Sequence, residues 1–314
     1  MVLKEVFIII KERITYLSHN QETLISASIW RPLGAPKAIL QISHGMAEFI
    51  DRYDDFARYL SENQFLVVGN DHLGHGNSVA AVEDRGYFSK GNGKQHVIED
   101  IKKLHDLIKI DYPHLPYFLM GHSMGSFIVR NFLQQYGDTI DGAILMGTSG
   151  PKPELNFILS PLTLLNKISP KTRNPLVDKL AFGSFSSYFE ETGSDFNWLS
   201  KNQQNVAWYE EHPQTGFIFT NNGFLTLFTL LNDGTKKGWA TTIPTELPIL
   251  VISGDQDPVG GMGKGVRKVF HELEDAQFTD ITLCTYPELR HEILMEDSYL
   301  LVYQDLLNWL NRHL

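Results

Sequence analysis

Runs of apolar residues rich in β-branched side chains alternate along the chain with stretches whose apolar residues recur at helical spacing. The runs predict strands at residues 6–10, 24–30, 37–42, 65–69, 117–120, 143–146, 248–253 and 278–286. The spaced stretches predict helices at residues 52–63, 97–108, 124–136, 265–273 and 298–311. This alternation favours an α/β fold, a mostly parallel sheet with helices on both faces.

The alternation stops at about residue 150 and resumes only after residue 243. The stretch between is irregular and contains Pro151, Pro153, Pro161, Pro170 and Pro175. We therefore expect an insertion, residues 151–243, between two strands of one sheet. Residues 1–150 and 244–314 are expected to form the core that carries this sheet.

The insertion differs from the rest of the chain in composition. It holds eight basic and eight acidic residues, so the remainder carries the whole net charge of −10. It also holds 14 of the 36 aromatic residues. A neutral, aromatic-rich insertion at this edge of a sheet is typical of a lid, or cap, over an apolar pocket. The alternative is a small helical subdomain whose aromatic residues form its own core.

Length, charge and cysteine content argue against several classes of protein. A chain of 314 residues can bury a core without disulfides, and its single cysteine, Cys284, can form none within the chain. The acidic balance argues against nucleic-acid binding. No apolar run approaches the roughly 20 residues that cross a bilayer. The run at 6–10 is too short for a signal-peptide core, so we expect a first strand there and a cytoplasmic protein.

A candidate nucleophile lies at residues 121–125, which read Gly-His-Ser-Met-Gly and fit the pattern G-x-S-x-G. A predicted strand precedes the motif and a predicted helix follows it, as the pattern requires. Side chains at either glycine would crowd the sharp turn that exposes the serine. The N-terminus of the helix favours the negative charge that develops there. We therefore predict that Ser123 is a catalytic nucleophile.

A serine nucleophile needs a base and an orienting carboxylate, which follow it along the chain in this architecture. Asp257 follows the predicted strand 248–253, and His291 follows the predicted strand 278–286. The carboxyl ends of parallel strands meet at one edge of a sheet, where Ser123 is also expected. Asp255 is the competing acid, but its place directly after Gly254 favours local turn bonds. Asp257 and His291 are therefore the predicted partners.

The oxyanion formed during ester cleavage needs two backbone N–H donors. One is expected from Met124, directly after the nucleophile. The other is expected from Met46, in the loop after the strand 37–42. His44 and Gly45 are interpreted as residues that shape this loop.

Two further motifs are interpreted as structural. Residues 71–76 contain Asp71, His72 and His75, but their glycines suit a tight loop and no further cluster has zinc spacing. Residues 260–265 are glycine-rich, yet Gly265 stands where a phosphate-binding P-loop has Ser or Thr. We therefore expect no metal ion and no cofactor.

Together these segments resemble those of monoacylglycerol lipases and bacterial lysophospholipases. The segments that carry the resemblance are 44–48 with Arg52 and Tyr53, 69–78, 121–125, 254–257 and His291. The resemblance covers nearly the whole chain outside the insertion. It implies an α/β-hydrolase fold with a cap over the site.

The resemblance also implies hydrolysis of a carboxylic ester by Ser123, His291 and Asp257. Many members of the family have a histidine after the glutamate of the oxyanion loop, whereas this chain has Phe49. Contacts to a polar head group are therefore not carried over. The cap diverges most within the family, so the acyl and alcohol specificity do not transfer either.

The resulting hypothesis is a serine esterase that cleaves a single-chain lipid ester, a lysophospholipid or a monoacylglycerol. Transient contact of the cap with a membrane surface would fit such a substrate. One alternative is another hydrolase on the same scaffold, an iminopeptidase or a small-ester carboxylesterase. An iminopeptidase needs cap carboxylates for a free amine, and the candidates are Glu190, Glu191, Glu210 and Glu211. The other alternative is a non-catalytic protein that binds an apolar ligand.

Overall fold

A single eight-stranded sheet organises the molecule. The computed structural model describes residues 10–189 and 193–314. The strands are β1 (Ile10–Leu17), β2 (Leu24–Arg31), β3 (Ala38–Ser43), β4 (Phe65–Asn70), β5 (Tyr117–His122), β6 (Gly142–Met146), β7 (Ile249–Gly254) and β8 (Ile281–Tyr286). Their order in the sheet is β1-β2-β4-β3-β5-β6-β7-β8. All pairs from β4 to β8 are parallel, and only β1–β2 and β2–β4 are antiparallel, which confirms the predicted sheet.

Helices cover both faces of this sheet. They are α1 (Asp54–Glu62), α2 (Gly93–Asp111), α3 (Met124–Tyr136), α4 (Leu155–Ile168), α5 (Pro175–Phe182), α6 (Gln203–Glu211), α7 (Asn221–Thr235), α8 (Lys264–Asp275) and α9 (Tyr299–Arg312). Neighbouring strand residues point to opposite faces: Ile39 belongs to the apolar core that includes α2, α3 and α8, and Leu40 to the core that includes α1 and α9. No helix in the described ranges is long and apolar enough to cross a membrane.

The first strand differs from its prediction. Residues 6–9 of the predicted strand 6–10 lie outside the described residues, and β1 runs from Ile10 to Leu17. The charged residues Lys11, Glu12 and Arg13 hid this strand, because an edge strand tolerates polar side chains on its open side. β8 also begins later than predicted, at Ile281 rather than residue 278.

The residues between β6 and β7 form helices α4 to α7. β6 and β7 are neighbours in the sheet, with Ala143 opposite Ile249, so the chain returns beside the strand it left. α7 packs against both α3 and α4 and buries Phe224, Leu227 and Phe228. The irregular sequence pattern concealed these helices, in part because Pro161 lies inside α4 instead of ending it.

Candidate active site

The predicted nucleophile lies on a strained turn between β5 and α3. Ser123 has φ 53° and ψ −120°, a left-handed conformation that a residue with a Cβ rarely adopts. Its backbone N–H donates to the Met146 carbonyl at 3.0 Å, which ties the turn to the end of β6. His122 and Met124 are buried, whereas Ser123 is half-buried. The turn therefore leaves the Ser123 side chain partly exposed, while the side chains on either side of it are buried in the protein.

Two glycines make this turn sterically possible. A Cβ at Gly121 would lie 2.3 Å from the Gly125 carbonyl oxygen, and a Cβ at Gly125 would lie 2.0 Å from the Ser43 carbonyl oxygen. Both distances are far below van der Waals contact. Because Ser43 ends β3, the start of the next loop packs directly on the serine turn.

The predicted acid and base are in direct contact. His291 Nδ1 lies 2.9 Å from Asp257 Oδ2, and both side chains are almost fully buried. Asp257 Oδ1 accepts the Val259 N–H at 2.8 Å, and Oδ2 also accepts the Ser253 hydroxyl at 3.2 Å. A carboxylate held in this way accepts a proton-bearing Nδ1 and leaves Nε2 able to act as a base.

Asp255, the competing acid, lies outside this contact. Its Oδ1 accepts the Glu288 N–H at 2.7 Å, which joins the loop after β7 to the loop after β8. Its carboxylate therefore fastens two loops together, a structural role.

His291 lies beside the serine turn. Its ring centroid is 4.7 Å from that of His122, and His122 Nε2 is 3.2 Å from the His291 carbonyl oxygen. Within residues 10–189 and 193–314, no hydrogen bond joins the Ser123 hydroxyl to the His291 imidazole. Catalytic hydrogen bonds of this kind commonly tighten only when substrate is bound.

The predicted oxyanion donors flank the same serine. A Cβ at Gly45 would lie 3.2 Å from Ser123 Cβ, so the loop after β3 lies against the nucleophile. Met124 opens α3, where a backbone N–H has no partner within the helix. Neither Met46 nor Met124 donates its N–H to another described residue. Both therefore remain candidates for the oxyanion donors.

Glu48, to which the sequence analysis gave no role of its own, holds the predicted oxyanion loop in place. Its Oε1 accepts the Gly45 N–H at 2.5 Å and the Tyr53 hydroxyl at 2.9 Å, and lies 3.3 Å from His122 Nδ1. Burial acts to raise the pKa of Glu48, but the His122 hydrogen bond and the Arg52 charge outweigh it and hold that pKa well below its usual value. Burial lowers and Glu48 raises the pKa of His122, with a net increase.

Arg52 extends this network to the insertion and to the loop after β8, which carries His291 and is called the base loop below. It bonds Glu48 Oε2 at 2.7 Å and both oxygens of Glu292, at 2.6 and 2.9 Å. Asn205 of α6 bonds Arg52 and Glu292 as well. Burial acts to raise the pKa of Glu292, but the Arg52 charge lowers it below its usual value. The four-residue spacing of Glu48 and Arg52 could have indicated their ion pair. No feature of the nearby sequence indicated that Glu292 pairs with the same arginine.

Three buried histidines pack against the same loop and bond to its backbone or to one another. His44 Nδ1 lies 2.8 Å from the Gly45 carbonyl, and its Nε2 accepts the His72 N–H. His75 Nε2 accepts the Ala47 N–H at 3.2 Å. Burial lowers the pKa of all three, that of His75 to about 3, so they are neutral near pH 7. No group of three or more potential metal ligands occurs in the part of the chain that the structure describes.

Comparison with known proteins identifies the family. The profile of the family described as "Serine aminopeptidase, S33" matches residues 34–298, most of the chain. The chain belongs to this family. Monoglyceride lipases of Mus musculus and Homo sapiens are 31% and 32% identical to it, each over 85% of this chain and 79% of the relative. A monoacylglycerol lipase of Mycolicibacterium smegmatis is 28% identical over 91% of this chain and 92% of its own.

Solved structures of similar fold include two with known chemistry by name. A thermostable carboxyl esterase from Bacillus coagulans superposes with a TM-score of 0.89 at 29% identity, covering 96% of this chain and 98% of its own. A monoglyceride lipase variant from Saccharomyces cerevisiae has a TM-score of 0.75 at 19% identity, over 97% of each chain, which supports the fold alone. The protein has the α/β-hydrolase fold and is a serine ester hydrolase.

Phe49, where this S33 hydrolase departs from the expected pattern, contacts the insertion. Its ring stacks on His212 at 5.1 Å and lies 6.3 Å from Trp208 of α6. Trp208 in turn stacks on His212 at 4.5 Å. The aromatic ring at position 49 therefore joins the oxyanion loop to α6.

Proposed function

We propose that this S33 hydrolase cleaves carboxylic esters of single-chain lipids, a monoacylglycerol or a lysophospholipid, through Ser123, His291 and Asp257. The observation that carries the proposal is the buried Asp257–His291 pair beside the strained turn of Ser123. The lipid substrate is supported by the relatives, which are lipases that act on monoacylglycerols by name.

In the proposed reaction, the Ser123 hydroxyl attacks the ester carbonyl while His291 Nε2 accepts its proton. Asp257 orients the imidazole and stabilises the cation that forms. The N–H groups of Met46 and Met124 donate to the oxyanion. The tetrahedral intermediate expels the alcohol, which receives the proton from His291, and leaves an acyl-enzyme. Water activated by the same histidine then releases the fatty acid.

We propose that residues 151–243 are a cap over this site and that residues 1–150 and 244–314 are the core. The Tyr209 hydroxyl of the insertion donates to the Ala47 carbonyl at 3.1 Å, directly on the oxyanion loop. The Gly216 N–H donates to the same carbonyl, also at 3.1 Å. These contacts support an insertion that covers the site rather than a subdomain that stands apart from it.

Helices α4 and α5 support contact with a lipid surface. They expose six apolar side chains, and Phe157, Ile168 and Leu180 are each more than 70% exposed. Large apolar side chains exposed in this number on two successive helices are more than the scattered apolar residues that ordinary surfaces carry. The insertion carries no net charge, so it meets less repulsion from an anionic membrane than the acidic core does. We propose that the exposed apolar side chains of α4 and α5 contact the membrane transiently while substrate enters.

Two alternatives have support among the comparisons. The description of the family favours an aminopeptidase, and the carboxyl esterase structure favours a small-ester carboxylesterase. An aminopeptidase would need carboxylates near the site for the substrate amine. Glu190 and Glu191 lie outside the described residues, and Glu210 is exposed and bonded to Ser194. A small-ester carboxylesterase would use the same residues on short acyl chains. The chain has a single cysteine and therefore no internal disulfide, which is typical of proteins in a reducing compartment. We therefore also propose a cytoplasmic location.

The test is hydrolysis of four substrates by the purified protein: a monoacylglycerol, a lysophosphatidylcholine, p-nitrophenyl acetate and an amino-acid anilide. We expect fatty acid release from at least one lipid, lost by at least about a thousandfold in Ser123→Ala. Ser160→Ala, at an exposed serine of α4, is the matched control. Cleavage of the anilide alone would favour a peptidase, and cleavage of the acetate alone a small-ester esterase. Inactivity on all four, without labelling by a fluorophosphonate, would indicate a non-catalytic protein.

A further inference from the structure

A short segment of the insertion, residues 197–200, lies alongside residues 290–292 of the base loop. Arg290 Nη1 donates to the Asn197 carbonyl at 2.7 Å and to the Ser200 carbonyl at 3.3 Å. On the other side of His291, the Glu292 N–H donates to the Leu199 carbonyl at 2.7 Å. These bonds bracket the predicted base on both sides.

The same segment has a second attachment through Glu296. Its Oε2 accepts the Ser200 hydroxyl at 2.8 Å and the Lys201 N–H at 2.9 Å, and its Oε1 accepts the Arg290 N–H at 3.0 Å. Glu296 and Arg290 are both buried. The position of residues 197–200 relative to His291 is therefore fixed by several buried hydrogen bonds.

Trp198 faces His291 from this segment. The two ring centroids are 5.1 Å apart, with the planes tilted by 42°. Phe185 contacts Trp198 edge-on at 5.2 Å, and Phe182 is stacked with it at 6.5 Å. The indole ring is thus supported from the insertion side and directed at the imidazole.

We propose that Trp198 is a positioning residue of the insertion that holds the His291 imidazole in place and stabilises its cationic form through the indole ring. The proposal rests on the proposed function, in which His291 accepts the Ser123 proton. It assigns a role in the chemical step to a part of the insertion that is otherwise expected only to cover the site.

The physical basis is the interaction between a cation and an aromatic face. An indole is the strongest aromatic partner for a cation, and the attraction grows where water is excluded. In the proposed reaction His291 becomes positively charged when it takes the serine proton, so an indole beside it favours the transition state. The titratable groups in contact with the His291 ring are Asp257, at 2.9 Å, and His122, whose ring centroid is 4.7 Å away. The charged groups one contact further out are Glu48, which lies 3.3 Å from His122 Nδ1, and Arg52 and Glu292, which pair with each other.

The experiment compares Trp198→Leu and Trp198→Phe with the native enzyme on p-nitrophenyl acetate across pH. Leucine keeps an apolar side chain but removes the aromatic face, whereas phenylalanine retains a weaker face. We expect kcat of Trp198→Leu to fall about tenfold with KM unchanged, and the phenylalanine variant to retain most activity. Because the imidazolium loses a stabilising contact, the acidic limb of kcat/KM should move to lower pH. Tyr188→Leu, at an exposed aromatic residue of the insertion, is the matched control.

A second measurement is independent of turnover. NMR of the protein with ¹³C-labelled histidine follows the Cε1 signal of His291, assigned by its loss in His291→Gln. The titration midpoint should be lower in Trp198→Leu than in the native protein and unchanged in Tyr188→Leu. Circular dichroism checks that each variant is folded.

Three results would overturn the inference. The first is a folded Trp198→Leu with unchanged kcat, pH profile and NMR midpoint. The second is an increase in KM for long-chain esters alone, which would make Trp198 a pocket wall. The third is an equal loss in the phenylalanine and leucine variants, which would indicate a packing role. Absence of any native esterase activity, together with a shifted midpoint, would instead contradict the proposed function and leave the placement of Trp198 supported.

Discussion

Helices α4 and α5, at one end of the insertion, expose apolar side chains, whereas residues 197–235 at the other end bond to the catalytic loops. We call residues 155–182 the apolar half and residues 197–235 the anchored half. The apolar half has Phe157 and Leu180 more than 70% exposed. The anchored half supplies Asn205 to the Arg52 network, Tyr209 to the oxyanion loop and Trp198 to His291.

The polar contacts that each half makes with the core show the same contrast. Lys171 of the apolar half pairs with Asp84 of the core at 2.6 Å, but the lysine side chain is 58% exposed. In the anchored half, Asn205 bonds to a buried network of the core in which the single guanidinium of Arg52 pairs with the carboxylates of Glu48 and Glu292. One insertion therefore combines a part that fixes catalytic geometry with a part that is free to meet a lipid surface. The comparison suggests three changes, with effects that decrease in size.

The largest effect is expected from Arg52→Met. The substitution leaves the carboxylates of Glu48 and Glu292 buried without their positive partner, which typically costs about 3–5 kcal/mol. Urea unfolding measures this as a lower free energy of unfolding. Lys171→Met is the matched control and should cost less than about 1 kcal/mol, because exposed ion pairs contribute little. Equal losses in the two variants would show that the buried network bonded by Asn205 is no stronger than the exposed Lys171–Asp84 pair.

A smaller, pH-dependent effect is expected at His75, which contacts Phe217 and Phe219 of the anchored half at 5.4 and 5.2 Å. Burial lowers the pKa of His75 to about 3. Between pH 6.5 and 3 the unfolded chain therefore binds a proton that the folded chain does not, and stability falls as pH falls. At pH 5 this one histidine accounts for about 2 kcal/mol.

The check is urea unfolding of the native protein and His75→Gln between pH 7 and pH 5. The variant should lose less stability over this range, whatever its stability at pH 7. Burial raises the pKa of Asp100 to about 6, which acts in the opposite sense below that pH, but equally in both proteins. If the free energy of unfolding fell equally with pH in the two proteins, the low pKa of His75 in the folded state would be contradicted.

The smallest effect is expected from Phe157→Ser combined with Ile168→Ser in the apolar half. Both side chains are exposed, so the free energy of unfolding should change by less than about 0.5 kcal/mol per site. Binding to phosphatidylglycerol vesicles, measured by co-sedimentation, should weaken about tenfold through lost apolar burial. Val82→Ser, at an exposed apolar residue of the core, is the control. Unchanged vesicle binding in the double variant would argue against a membrane role for α4 and α5.

Sequence reasoning predicted the features that follow from a local turn or from the order of strand ends along the sheet. The strand–turn–helix around Ser123 could be predicted because Gly121 and Gly125 are required by contacts within the turn and with Ser43. The loops of Asp257 and His291 could be predicted because the carboxyl ends of parallel strands share one edge. The Asp257–His291 contact agrees with that reasoning.

Sequence reasoning failed where the partners are far apart along the chain. Arg52 and Glu292 are separated by 240 positions, and no periodicity relates them. Trp198 was one of many aromatic residues in the insertion, and its ring contact with His291, 93 positions away, has no signature in the sequence. Charged residues concealed β1, and Pro161 concealed α4.

The direct pairing of β6 with β7 has a consequence for the chain entropy of the molecule. Because the two strands are neighbours, the insertion is a loop that closes between adjacent positions of the sheet. The entropy of closing a loop grows only with the logarithm of its length, so roughly 100 residues cost about 2 kcal/mol more than ten. At this point of the chain, a long segment can therefore lengthen or shorten at little cost to the sheet.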